Sequence, residues 1–418
     1  MDVHLPYGHS VYGLHLPDSI GCTTLQAESV AGLDSLEERL NEQLDSALQT
    51  LGSHQSSCRS AAIAVPDVTR PTPLKTILPI LVKRLEVFFP VLRPDAITVV
   101  IGGGLHPPPD EQEQAALLPM DCLEGIPIIA HDALHSPVTE YGLTSRGTPV
   151  AVNAAFTQAD LKIVVGQIDP HQFVGFTGGA KGVIIGTGAE KTIEHNHSQL
   201  FQDQARVGVL SGNPVREDLN EAGRMVGIDL AVNVVLNPNK DVVAVFCGDP
   251  DQVLLEGAEC CARVYGVPLT ERFDIIIASC GGYPKDITLY QAQKGLNLAS
   301  QALNPNGRIC LLAACEQGIG DPRYADYVSC FQSIDEAMAD FNQRPFQMGA
   351  HKCYLFGCTL TCHEAVLHSE LEQSTLQQCL LTGGNAQDTL DAWLNAFPGS
   401  PRIGVVPYAN TTYFIPEF

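Results

Sequence analysis

The 418-residue sequence is short of positive charge: 24 Lys and Arg stand against 47 Asp and Glu, for a net charge of −23. Such a field repels nucleic acid and anionic membrane, so neither is expected as a partner. It also means that a small anionic ligand has to be captured by a local cationic pocket. Long apolar runs are missing too. No stretch reaches the roughly 18 residues of a membrane helix. The first residues, MDVHLPYGHSVYGLHLPD, have no basic n-region and no apolar h-region, which argues against a secretory signal and predicts a cytoplasmic protein. There is no internal repeat and no low-complexity tract. A nucleophile elbow and a magnesium-type carboxylate cluster are also absent, which argues against a generic phosphate-binding hydrolase or transferase. Tryptophan occurs once, at Trp393.

Cysteine is not scarce: there are 14. They are scattered, and several sit in or beside apolar strands (Cys280, Cys310, Cys315), so they are expected to be reduced and buried as small hydrophobes. Cys358, Cys362 and His363 form the one cluster with a hint of ligand spacing, and it lacks a second Cys/His pair.

A hydrophobic content of 45% and a charged content of 17% describe a globular chain. Its length is too great for one ordinary core. Strands alternate with polar turns and helices: strand 61–65, helix 74–89, strand 96–101, helix 111–118, strand 126–130, a short antiparallel extra at 148–152, strand 161–166 and a helix from 190 into 204. Further strands follow at 230–236 and 242–246, then a helix at 250–265. After a break near 266–272 the pattern restarts with strand 273–279, a helix over 286–303, strand 308–314, and strands near Tyr354 and Ile403. This alternation predicts an α/β fold of two domains, each with a mostly parallel sheet flanked by helices. The expected bounds are 1–270 and 271–418, with the tail at about 405–418 crossing back to the first domain and the active site in the interdomain cleft.

Polar clusters follow four strands: Asp67/Thr69/Arg70, Gly102–His106, His131/Asp132 and Asp169/His171. In a parallel sheet such ends share one edge, where ligands bind. The densest stretch is 169–197, DPHQFVGFTGGAKGVIIGTGAEKTIEHNH. Gly102–Gly104 and Gly178-Gly179 permit close backbone approach and can present N–H groups to an anion, or serve as plain turn glycines. GFTGGAKG fits neither a P-loop nor a dinucleotide fingerprint. Lys181 reads as a phosphate ligand, a covalent anchor or an ordinary solvated lysine. His106, His171 and His197 are the candidates for proton transfer or metal binding. His195 and His197 are two apart on a helix, so only one can face the site. Arg70, in a rigid turn, suits a bidentate carboxylate grip or is a surface arginine. Gln291 and Lys294 share a helix face, which by spacing alone reads as solvated surface.

Several of these motifs, taken together, are specific. DVTRPTP at 67–73, GGLH at 103–106, PHQFVGFTGGAKG at 170–182, EHNH at 194–197 and GGYPKDITLYQAQK at 281–294 closely resemble the nickel-pincer lactate racemase family, in order and over most of the chain. The resemblance implies an isomerase that inverts C2 of a 2-hydroxy acid by hydride transfer. The implied cofactor is the nickel-pincer nucleotide, a pyridinium-3-thioamide-5-thiocarboxylic acid mononucleotide joined covalently to Lys181. His197 would be the nickel ligand, and His106 and His171 the alternating acid and base. Arg70, Gln291 and Lys294 would hold the substrate carboxylate. Asp67, Thr69, Gly178 and Gly179 would support the cofactor or the histidines. Cofactor-synthesis enzymes become implied partners, because nothing in this chain builds the group. The same residues leave room for a non-catalytic or diverged binder of the cofactor or of a small carboxylate. They do not choose between a monomer and a homo-oligomer.

One departure bears on substrate. The family's second-domain tryptophan, which walls a small methyl pocket, has no counterpart here. Tyr354 stands in the corresponding region, and Phe173 and Tyr290 fit other walls. A phenol in place of an indole predicts a substrate larger than lactate.

Overall fold

The computed structural model describes residues 1–17, 20–52, 58–344 and 346–417. The chain forms two compact units, Ser29–Val264 and a second made of Met1–Glu28 with Tyr265–Phe418.

The Ser29–Val264 unit is built on a six-stranded sheet. Its order is Val242–Gly248, Leu230–Leu236, Leu161–Gln167, Ala61–Pro66, Ile97–Gly102, Ile128–Ala130. Every pairing is parallel except that of Val242–Gly248 with Leu230–Leu236. The sequences explain the arrangement: AAIAV, ITVVI and LAVNVVL are near-continuous apolar runs, interrupted only by Thr98 and Asn233, as strands covered on both faces require. The helices Leu36–Thr50 and Leu74–Phe88 contribute Leu40, Leu44, Leu78 and Leu81 to the same core as Ile63, Val99 and Ile163. Ser35 starts the first helix by accepting a hydrogen bond from the Glu38 N–H. The chain enters the sheet at Ala61–Pro66, steps outward through Ile97–Gly102 and Ile128–Ala130, and then returns to the other side as Leu161–Gln167. The strand order therefore reverses between Ala61–Pro66 and Leu161–Gln167, and a crevice at such a switch point is where open α/β sheets bind ligands.

The second unit has a five-stranded, all-parallel sheet in the order Glu364–His368, Leu303–Leu312, Phe273–Ser279, Ile403–Val406, Cys22–Thr24. Its switch point lies between Phe273–Ser279 and Ile403–Val406. The division places the first 28 residues apart from the 1–270 grouping expected from sequence. Cys22–Thr24 supplies an edge strand, and Leu5, Leu14 and Leu16 of the N-terminal hairpin join Ile277, Leu312 and Trp393 in one core. A lone two-stranded hairpin cannot bury its apolar face by itself. In the tail, Tyr413–Pro416 pairs in parallel with Gly266–Leu269 of its own unit; Phe418 lies outside the described residues. The strand expected near Tyr354 is instead the helix Lys352–Leu360, and the strand follows at Glu364–His368. KCYLFGCTL is a short apolar run whose periodicity does not separate helix from strand. The helix expected from 190 into 204 ends at His197 and continues as a 3₁₀ turn, Ser198–Phe201.

Candidate active site

Asp67 follows the strand Ala61–Pro66 and is 5% exposed. Its Oδ1 accepts from the Thr69 hydroxyl at 2.6 Å and the Thr69 N–H at 3.2 Å. Its Oδ2 lies 2.7 Å from His106 Nδ1. Burial pushes this carboxyl up, but His106, the Thr69 hydroxyl and Arg70 together hold it below its ordinary value. A carboxylate so fixed accepts the Nδ1–H of neutral His106 and leaves Nε2 as a lone pair. Gly103 makes this contact possible, since a Cβ there would stand 2.8 Å from Asp67 Oδ2. The His106 ring is about half exposed, at 47%. Arg70 is exposed, touches only Thr69 through its side chain, and has no carboxylate partner among the described residues. Thr72 ties this turn to the neighbouring strand end by donating to Gln167 Oε1 at 3.1 Å. Gln167 in turn donates to Asp169.

His171 is set differently. Its Nδ1 accepts from the Val174 N–H at 3.3 Å, so the neutral ring carries its proton on Nε2. Phe173 meets His171 edge-on at 4.6 Å and His197 edge-on at 5.1 Å. His197 is 9% exposed, and its Nδ1 is buried with no hydrogen-bond partner. Burial first, and then the Lys181 charge, push its imidazole down to about 3. The ring is thus neutral at physiological pH, the form that binds a metal. Lys181 opens the single helical turn Lys181–Ile184 and is half-buried.

Gly178 sits at φ +85°, where a Cβ would fall 2.5 Å from Ile168. The Gly179 N–H donates to Asn233 Oδ1 at 2.8 Å. The pair therefore provides room, but the Gly179 amide expected as an anion donor is already taken. The other glycine turn is docked against the lysine loop by Gly104 N–H donating to Gly186 O at 3.0 Å.

Sequence reasoning missed the helix Pro214–Val226 that braces this loop. Its Arg216 is 1% exposed, and its guanidinium donates to the carbonyls of Val174 (3.3 Å), Gly178 (3.3 Å) and Phe176. Burial lowers Arg216 to about 9, opposed by Asp251. Asn213 caps the helix by accepting from the Val215 and Arg216 N–H groups, and donates to Phe173 O at 3.0 Å. Asn213-Pro214 is a readable helix start; that Arg216 turns inward is not readable.

Two expected neighbours have other duties. His131 is 1% exposed, with its ring nitrogens 3.0 Å from Gly188 O and 3.0 Å from Asn153 Nδ2. Asp132 closes a surface turn and pairs with His135. The His131/Asp132 cluster is thus structural. His195 Nδ1 lies 2.9 Å from the Thr148 hydroxyl, which in turn donates to the buried Asp218.

In the second unit, Tyr290, Gln291 and Lys294 lie half-buried on the helix Leu289–Ala299. Thr288 caps that helix by accepting from the Gln291 N–H. Gln291 Oε1 is buried without a partner. The Tyr354 hydroxyl engages Cys358 one turn along its own helix, and Lys352 reaches Tyr290, with its ammonium 4.3 Å from the ring centroid.

The fold and this arrangement define an α/β protein with a histidine-rich switch-point site. Family models match both parts of the chain: the lactate racemase N-terminal domain over residues 7–208 and the lactate racemase C-terminal domain over 269–381. The lactate racemase of Lactiplantibacillus plantarum is 30% identical over 325 residues, 76% of each chain. That of Thermoanaerobacterium thermosaccharolyticum is 29% identical over 326 residues, again 76% of each. The structure of the lactate racemase apoprotein from the latter organism superposes with a TM-score of 0.92 at 24% identity, covering 99% of this chain and 100% of that one. A Thermotoga maritima protein gives 0.68 at 14% identity, covering 93% of this chain and 100% of that one. The chain belongs to the lactate racemase family.

Proposed function

We propose that the chain is a racemase or epimerase that inverts C2 of a 2-hydroxy acid with a nickel-pincer nucleotide bound at Lys181. The observation that supports this most is the opposite setting of two histidines. Asp67 leaves His106 with a bare Nε2, while the Val174 N–H leaves His171 with a protonated one. One is poised to take the 2-hydroxyl proton; the other is set as a hydrogen-bond donor and gives a proton only from its imidazolium form, so the two rings meet the substrate differently from its two sides.

The residues fit the group. His197 offers a neutral ring with an orphan buried nitrogen beside Lys181. No group of three or more His, Cys, Asp or Glu able to hold a metal occurs among the described residues, so a metal here would take its remaining ligands from the cofactor. When bound, the cofactor supplies an acceptor for the Cα hydride. The chain's own part is then positional and protonic. Arg70 grips the substrate carboxylate. For one enantiomer His106 Nε2 takes the 2-hydroxyl proton. For the other, whose hydroxyl is presented on the opposite side, His171 does so in the tautomer that carries its proton on Nδ1 and leaves Nε2 bare, giving up the 3.3 Å bond from Val174. Phe173, edge-on to both His171 and His197, excludes water from between them. Cofactor-synthesis enzymes are the proposed maturation partners, and the cytoplasm the proposed location. No helix among the described residues is long and apolar enough to cross a membrane.

The test is racemisation of each pure enantiomer by protein produced with the cofactor-synthesis enzymes. His106→Ala and His171→Ala should each lower racemisation by about 10²–10⁴-fold, with oxidation of the bound substrate to its 2-keto acid impaired from opposite enantiomers. A protein that acquires the cofactor but turns over no 2-hydroxy acid would instead favour a cofactor-binding role without catalysis.

A further inference from the structure

His197 is the last residue of the eight-residue helix Glu190–His197, whose start no side chain caps. A helix that short does not hold itself, so where His197 stands is decided by what the helix is tied to. Three of its side chains make those ties. The Thr192 hydroxyl donates to Pro149 O at 2.7 Å and accepts from the Ala151 N–H at 3.1 Å. Asn196 is fully buried, and its Nδ2 donates to Asp218 Oδ2 at 2.8 Å and to Val215 O at 3.1 Å. His195 reaches the same carboxylate through Thr148. The Thr148 hydroxyl proton goes to Asp218 at 2.7 Å, so His195 Nδ1, 2.9 Å away, donates to the hydroxyl oxygen. Asp218 is 1% exposed, and its other oxygen accepts from the Thr144 hydroxyl at 2.6 Å.

We propose that Asp218 is a positioning residue: through Asn196 it fixes the last turn of this helix, and with it the imidazole of His197. The proposal rests on the reading of His197 as the nickel ligand. Asn196 and His197 are consecutive, so a shift of one displaces the other. Hydrogen bonds to a carboxylate are shorter and roughly twice as strong as those between neutral groups. A buried carboxylate also needs its donors in place, which keeps Asn196 from turning away. Asn196 Oδ1, by contrast, is buried and unmet. The side chain is thus oriented by what its Nδ2 gives Asp218, at the expense of its own acceptor. Asp218 stands on the helix Pro214–Val226, two residues from Arg216, which holds the carbonyls of Val174, Phe176 and Gly178. One helix therefore sets both the loop that follows His171 and the helix that ends in His197.

The test uses protein produced with the cofactor-synthesis enzymes and reads nickel rather than turnover. Wild type, N196L, D218N and T144V are challenged with a chelator, and the loss of bound nickel is followed beside the intact mass and the denaturant midpoint of each. N196L keeps the volume of Asn196 and removes its bond to Asp218. T144V removes a bond to the same carboxylate that does not involve the helix. We expect N196L to lose nickel about 10- to 100-fold faster than wild type, with the mass increment retained. D218N, which keeps the shape of the carboxylate and removes its charge, should lose it about threefold faster or more. T144V, destabilised as well, should stay within about twofold of wild type. Nickel held as firmly by N196L and D218N as by wild type overturns the proposal. Loss that tracks the fall in stability across all three variants also overturns it, by making Asp218 structural only. If N196L does not fold, D218N against T144V decides alone. A wild-type chain that gains the mass increment but no nickel would strike the reading of His197 as nickel ligand, and the proposal with it.

Discussion

Two basic side chains are buried beside a lysine in this molecule, one in each unit, and they differ in what their surroundings ask for. His197 lies next to Lys181, held neutral, with an unpartnered nitrogen. An imidazole in that state can bind a metal, the role proposed for it, and does not call for a counterion. Lys352 lies under the influence of Lys294, lowered only to about 7. An ammonium at that setting is half charged near neutrality. The contrast extends to the neighbours. Around His197 the working groups are fixed in place: His106 by Asp67, the 174–178 loop by Arg216. Around Lys352, the buried Gln293 Nε2 and Gln291 Oε1 lack partners. The first site, proposed for chemistry, has its groups fixed by hydrogen bonds; the second leaves buried polar atoms unmet.

The sharpest way to break this contrast is to remove the proton carriers. His106→Ala should lower kcat by about 10²–10⁴-fold, the usual contribution of a positioned acid or base, with KM changing much less. A variant that mainly raised KM would move His106 from chemistry to recognition. Arg216→Ala should be next in size. It strands three loop carbonyls and should cost about 3 kcal/mol in denaturant unfolding; a loss under about 0.5 kcal/mol would show that the loop does not depend on it.

Asp67→Asn keeps the shape but removes the charge that orients His106. We expect a loss of about 10- to 100-fold in kcat with a displaced pH–rate profile; an unchanged profile would mean that Asp67 serves only the turn.

Lys352 offers a test in stability alone. Its lowered value, about 7 against an ordinary 10.5, means that the unfolded chain binds more protons between those pH values. Stability should therefore rise with pH across that window, relative to K352M, with a slope approaching about 1.4 kcal/mol per pH unit. Lys294, Asp321, Tyr290 and His351 surround the group and are retained in the variant, so their titration cancels to first order. A flat difference would show that Lys352 is not desolvated. The smallest effect belongs to the surface pair His135–Asp132, 77% and 31% exposed. His135→Ala should shift stability by less than about 0.5 kcal/mol.

How far the sequence discloses all this depends on whether the signal is local. The strands of the Ser29–Val264 sheet are mostly apolar runs, and the polar turns behind Ala61–Pro66, Ile97–Gly102 and Leu161–Gln167 are visible because a parallel sheet gathers such ends on one edge. The same logic misled at His131, where a polar residue at a strand end is buried for structure, both nitrogens bound. The segment around Tyr354 reads as a strand because a nine-residue apolar run hides its period, and it folds as the helix Lys352–Leu360. The first 28 residues carry no local sign of the sheet they join. Arg216 reads as the polar face of an amphipathic helix, and only the folded loop supplies the carbonyls that draw it inward.

The claim at the centre is that residues 169–197 hold a covalently attached cofactor at the switch point. The most direct measurement is the intact mass of the protein produced together with the cofactor-synthesis enzymes, beside that of Lys181→Ala. We expect a mass increment in the wild-type chain, together with bound nickel, and neither the increment nor stoichiometric nickel in the variant. An increment that survives in Lys181→Ala, or a wild-type chain that gains none, would contradict it.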